Sequence, residues 1–396
     1  MRLLSIYPLL LLGTQFAWAQ DDTTPLDDLA EQALRNILVD ETANPTSVGS
    51  VAARAARSVN SCNVFGSAKR MEWDNLSSPA KRHYLDSVLC LFNKPSKSGA
   101  PGARNRYDDF VVTHVLNTQQ IHFTGNFLSW HRYFIRTFEQ ALQNECGYTG
   151  SLPYFNWSKY ASNAKAAPLF DGSSTSIGGD GDFKQLSGIY IPSVSMPFQV
   201  IPQEGGGGCV TSGAFQNITV NIGPVDPSFD DATPNPQPDG LGYNPRCLRR
   251  SLLNSMASEG LSALRVASLL IQSSTIAQFQ DKMQGNVTPG PNYFLGVHAA
   301  GHYLINGEPG ADIFTSTADP YFFLHHAQLD RLWWIWQNLN RRTRLDAIAG
   351  TITMFNNPPS RDTSLDDMLD MGVNGPTLPI RDVMDTMDGP LCYIYF

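Results

Sequence analysis

The run His122-Phe-Thr-Gly-Asn-Phe-Leu-Ser-Trp-His131-Arg132-Tyr133 and the later run Asp319-Pro320-Tyr-Phe322-Phe-Leu-His325-His326-Ala-Gln-Leu-Asp330-Arg331-Leu-Trp333 decide how this chain folds. Each sets imidazoles among aromatic side chains, with an Arg or Asp close by along a helical repeat. His114 precedes the first run. Before the second, Gly-Val-His298-Ala-Ala-Gly-His302-Tyr303 places two imidazoles four residues apart, on one face of a helix. Six of the eight histidines therefore form two groups of three. One histidine at an apolar helix position is ordinarily a core residue, but two matched groups are hard to reach by chance. Three neutral imidazoles per ion with no cysteine nearby suit copper best and zinc next, and spacing alone leaves both open.

Apolar periodicity around these runs predicts helices over 26–39, 79–91, 107–119 and 129–144, the last with His131 in its first turn. Ser77 caps the second of these, and Asn93-Lys-Pro95 ends it. Helical spacing resumes over 249–256, 262–272 and 275–283. It returns around His298 and over 320–340, where Phe322, His326, Leu329, Trp333 and Trp336 form a stripe. The expected fold is mainly α, with a central four-helix bundle holding a dinuclear metal site, long loops and a few short strands. A Gly- and Pro-rich insert occupies about 167–245. Length suggests two domains, but the two histidine groups must meet, so 20–396 reads as a single catalytic domain. His83, on the polar side of its helix, reads as solvated.

Arg2, the apolar run after it and Ala17-Trp18-Ala19 read as a signal peptide over 1–19 cleaved after Ala19, too short to span a bilayer. Six cysteines and no C-x-x-C pair predict three disulfides in a secreted protein. Connectivity stays open, with Cys209–Cys247 the favoured pair because it closes the insert. Sequons at Asn75, Asn217 and Asn286 predict surface N-glycans, whereas Asn156 lies in an apolar run and should be buried and unmodified. Without the leader, 27 basic residues face 36 acidic ones, a net charge of −9 that argues against nucleic-acid or anionic-membrane partners.

Residues 122–139 and 319–333 resemble the first and second copper-binding motifs of the type 3 copper proteins: tyrosinases, catechol oxidases and haemocyanins. Residues 110–157 are most similar to short secreted fungal members. The resemblance implies His114, His122 and His131 as ligands of one copper and His298, His302 and His326 as ligands of the other. The family pattern Asp-Pro-x-Phe-x-x-x-His selects His326 over His325, which becomes a supporting residue. Phe322 would pack under the metals, with Asp330 and Arg132 or Arg331 in a polar network behind them. The implied activity is oxidation of o-diphenols (catechols) to o-quinones with dioxygen, water being the other product, on a pigment or secondary-metabolite precursor.

The chain also departs from many members. It has no Asp or Glu over 282–297, and Ala299 follows His298 where an Asn or Asp is common. Monophenol hydroxylation is therefore not expected. Tyr303 should border the pocket and restrict bulky substrates. Gln120 stands where several fungal relatives carry a cysteine cross-linked to histidine, so no thioether is expected. The chain stops at Tyr393-Ile-Tyr395-Phe396, which implies no C-terminal shielding domain. Two alternatives keep the same six histidines: zinc in a non-redox hydrolytic or rearrangement step on an aromatic metabolite, and a haemocyanin-like oxygen-binding protein.

Overall fold

A computed structural model describes residues 22–43, 62–186, 189–190, 200–226, 229, 232–286 and 294–396; the leader lies outside them. The helices are α1 (Thr24–Ala43), α2 (Ser78–Phe92), α3 (Asp108–Ile121), α4 (Phe127–Cys146), α5 (Asn254–Gly260), α6 (Ala263–Gln272), α7 (Ile276–Gln284), α8 (Val297–Ile305) and α9 (Tyr321–Leu339), with a short turn of helix at Arg341–Arg344. Strands are short and pair two by two. None of the helices is long and apolar enough to cross a membrane, among the described residues.

Helices α3, α4, α8 and α9 surround the centre, as the periodicity predicts, with α1 laid against α9, α2 against α4, and α5 and α7 against α8. Phe110, Phe134 and Phe138 from α3 and α4 close around Phe323 of α9, and the Phe138 and Phe323 rings stack with centroids 3.4 Å apart. Each fully buried Phe contributes about 2–3 kcal/mol through lost apolar hydration. Ser77 caps α2 by accepting from the Ala80 N–H.

Two local expectations are corrected. Helix α4 begins at Phe127, so His131 sits one turn inside it and not in the first turn. The helix expected over 249–256 starts only at Asn254. Residues 249–253 are extended because tertiary partners take their backbone: Arg249 bridges to Cys209, and the Ser251 and Leu253 N–H groups donate to Ile305 and Leu304. Buried Arg250 in this segment grips Asp319 through two hydrogen bonds of 2.7 Å and also donates to the Ile177 and Gly178 carbonyls. The insert is thereby tied to the start of α9.

Behind the centre, the Asp330 carboxylate accepts from Arg132 Nε at 2.6 Å and from the Tyr393 and Tyr395 hydroxyls at 2.5 and 2.6 Å. Arg70 reaches both Asp330 and Glu139. A buried cluster of this kind holds only when its charges are paired and its hydrogen bonds filled. Both tyrosines belong to a strand, Tyr393–Tyr395, that pairs parallel with Ala68–Arg70. Next to it Cys392 is bonded to Cys62; Cys90–Cys146 and Cys209–Cys247 are the other two disulfides, the last as favoured from sequence.

His83 is not simply solvated: it is half-buried, and its Nε2 accepts from the Thr149 N–H at 3.1 Å, which fixes the turn after α4. Asn156 is buried. Asn75 and Asn217 are exposed and Asn286 half-buried.

Candidate metal centre

All six grouped imidazoles point into the space between α3, α4, α8 and α9. His114 lies on α3, His122 is the residue that ends it, His131 is on α4, His298 and His302 share α8, and His326 is on α9. One nitrogen from each of His114, His122 and His131 lies within 4.8 Å of the others, and the same holds for His298, His302 and His326. The groups face each other: His131 stacks on His326 with centroids 4.5 Å apart, and His122 on His298 at 5.6 Å.

The hydrogen bonds fix which nitrogen is free. His114 Nδ1 lies 2.8 Å from the Phe314 carbonyl, His122 Nδ1 2.9 Å from that of Thr118, and His131 Nδ1 2.8 Å from that of Phe127. A carbonyl can only accept, so each Nδ1 carries the proton and each Nε2 keeps a lone pair. His302 Nδ1 does the same toward the Gly310 carbonyl at 3.2 Å. The Nε2 atoms of His114, His131 and His298 are buried with no hydrogen-bond partner among the described residues. Orphaned lone pairs of this kind converging on one space are what a metal ion satisfies. His326 Nε2 and His302 Nε2 lie 3.3 Å apart. Two nitrogens about 2.0–2.1 Å from one tetrahedral ion have nearly that separation.

Electrostatics keep the rings unprotonated. Burial pushes the His122 imidazole down to about 4 and that of His302 to about 3. Burial, reinforced by neighbouring imidazoles, holds His114, His131, His298 and His326 well below the ordinary value. Neutral imidazole is the form that binds metal. Five of the six are buried, while His302 keeps partial exposure and marks the open side.

His325 is placed quite differently. Its Nδ1 accepts from the Trp157 indole N–H at 3.1 Å, so its Nε2 bears the proton and donates to the His298 carbonyl at 3.1 Å. Neither nitrogen is left for an ion. The ring lies against Gly301, where an added Cβ would come within 2.0 Å of it, so only glycine lets α9 approach α8 this closely. Phe322 stacks on His326 with centroids 4.0 Å apart and meets His114 edge-on at 5.2 Å, a floor under both groups. Ala299 and Tyr303 are half-buried on α8. Asp330 pairs with Arg132, whereas Arg331 turns away toward Asp27.

Sequence reasoning missed Gln284, Asp281 and Phe355. Gln284 Oε1 accepts from the N–H of Phe123, directly after His122, and Asp281 lies just outside the acid-free stretch yet lines a cavity beside that loop.

Residues 104–339 match the family described as the common central domain of tyrosinase. Tyrosinase P of Aspergillus terreus is 38% identical over 332 residues, 82% of this chain and 91% of its own. The N-acetyl-6-hydroxytryptophan oxidase ivoB of Emericella nidulans is 36% identical over 353 residues, covering 85% and 94%. A solved structure, the polyphenol oxidase of Thermothelomyces thermophila, superposes with a TM-score of 0.83 at 38% identity, covering 94% of this chain and 98% of that one.

Proposed function

Because this chain belongs to the tyrosinase family, we propose that it is a dinuclear copper oxidase that converts catechols to o-quinones with dioxygen, on a pigment or secondary-metabolite precursor. The observation that carries the reading is the pair of inward-facing imidazole triads, with Nδ1 held by a main-chain carbonyl in His114, His122, His131 and His302 and Nε2 left unpartnered among the described residues in His114, His131 and His298. His114, His122 and His131 would hold one ion, and His298, His302 and His326 the other. Held there, copper would supply redox chemistry, with two diphenols giving up two electrons and two protons each so that one dioxygen is reduced to two waters.

The chain's own residues supply position and environment. Main-chain carbonyls lock the ring orientations, Phe322 forms the floor, and His325 with Trp157 braces α8 against α9. Ala299 and Tyr303 border the substrate beside partly exposed His302. Ala299 offers no polar group to assist phenol deprotonation, which supports diphenol oxidation over monophenol hydroxylation. Relatives named as oxidases favour redox chemistry over the zinc and oxygen-carrier alternatives. Residues 20–396 act as one secreted catalytic domain, with glycans on Asn75, Asn217 and Asn286.

The test is copper and zinc content per purified chain, together with oxygen uptake on adding 4-methylcatechol. Two coppers and catechol-dependent uptake are expected; two zincs and no uptake would sink the proposal.

A further inference from the structure

Three of the five non-glycine residues with positive φ among the described residues occur at one place: Phe123 (52°), Phe355 (54°) and Asn356 (54°). Left-handed backbone is disfavoured for aromatic residues and persists only where the surroundings impose it. Here they do. The Phe123 N–H donates to Gln284 Oε1 at 2.6 Å, the Gly125 N–H to the Thr351 carbonyl at 2.9 Å, and Gln280 Nε2 to the Ala349 carbonyl at 2.8 Å. Helix α7 thus holds both the loop after His122 and the loop before Phe355. The result is a stacked ring pair with centroids 4.4 Å apart.

Core packing does not account for this pair, because Phe355 is 54% exposed. Its ring forms a shared wall between a cavity of about 440 Å³ beside α7 and another of about 720 Å³ along α3. The smaller cavity is also lined by Phe294, on the strand leading into α8, and among the described residues its one charged lining residue is Asp281. None of the six grouped imidazoles lines it, yet its walls follow His122 and precede His298, whose rings stack 5.6 Å apart. The cavity is therefore bounded by the two chain segments that carry a facing pair of imidazoles, without including the imidazoles themselves. A cavity of this size suits one further ring of a small ligand.

We propose that the Phe123–Phe355 pair is a specificity platform on which a second planar ring of the substrate stacks, so that two-ring phenols are preferred to one-ring phenols. Asp281 adds discrimination against anionic second rings. The proposal rests on the oxidase reading for the identity of the reacting ring.

The test compares 4-phenylcatechol with 4-methylcatechol on the copper-loaded full chain and on two variants. Phe355→Asn removes the ring but keeps a residue that tolerates left-handed backbone; Phe355→Tyr keeps the stack. The preference in kcat/KM for the two-ring substrate should fall about three- to tenfold in Phe355→Asn, the range of an aromatic pair, and persist in Phe355→Tyr. An unchanged preference in Phe355→Asn overturns the proposal. If the unaltered protein oxidises neither catechol, the oxidase reading fails. Titration calorimetry with 4-phenylresorcinol then decides the platform: the same weakening in Phe355→Asn supports it and an equal Kd overturns it.

Discussion

The two imidazole triads have the same composition but are held in different ways. In the first, all three rings donate Nδ1–H to main-chain carbonyls at 2.8–2.9 Å and all three are buried. In the second, among the described residues, one such bond, from His302, spans 3.2 Å to a loop carbonyl, His326 Nδ1 has no partner, and His298 is braced from behind by His325. Packing does in the second triad what hydrogen bonds do in the first: Phe322 stacks on His326, and Gly301 admits the His325 ring. The first half of the site is thus closed and held by main-chain hydrogen bonds, whereas the second is held by packing and open at His302.

Substitutions on α9 should expose that difference most strongly. His326→Ala should lose one metal and all oxidase activity, while His325→Ala retains both metals but melts earlier, because the Trp157 N–H and the His298 carbonyl each lose a partner at about 1–3 kcal/mol. Equal metal loss in both, by elemental analysis, would undo the distinction between ligand and brace. Next in size is Asp330→Asn. Asp330 meets Arg132 beside the first triad and itself lies one turn from His326, so the change should destabilise both halves together by about 3–5 kcal/mol. A loss confined to one metal would show that the halves are braced separately.

Acid should act on the metal-free chain in a defined window. His122 and His302 have depressed values in the fold, so between about 4 and the ordinary imidazole value near 6.5 the unfolded chain binds more protons. Stability is then highest above about pH 6.5 and falls as pH drops toward 4, by on the order of 3 kcal/mol from His122 alone. A melting temperature flat across that window would contradict the burial argument. The smallest effect belongs to the open half: Ala299→Asp should raise monophenol turnover relative to diphenol turnover severalfold. An unchanged ratio would remove Ala299 from the explanation of substrate choice.

The hydrogen-bonded half was also the more legible in the sequence. Helical periodicity located α3, α4 and α9, and the imidazole spacing separated the six histidines from His83. Spacing did not choose between His325 and His326; that came from the family resemblance, and the structure supplies the reason in the two hydrogen bonds that occupy the His325 ring. The carbonyls that orient His114 and His302 belong to Phe314 and Gly310, and a main-chain acceptor leaves no residue signature. Residues 249–253 carried helical spacing but became extended because Leu304 and Ile305 offered backbone partners. Phe355 was invisible for a similar reason, since its partner Phe123 is remote in sequence and its backbone conformation is imposed by contacts.

The parallel pairing of Ala68–Arg70 with Tyr393–Tyr395, locked by a disulfide whose cysteines are 330 residues apart, bears on how the chain is made. During vectorial synthesis the early strand must wait while every imidazole of both triads is translated and α9 is completed. The two tyrosines that close over Asp330 arrive afterwards. The ligand set can therefore gather around α4 and α9 before its brace exists, and the brace serves to secure an assembled centre rather than to template it.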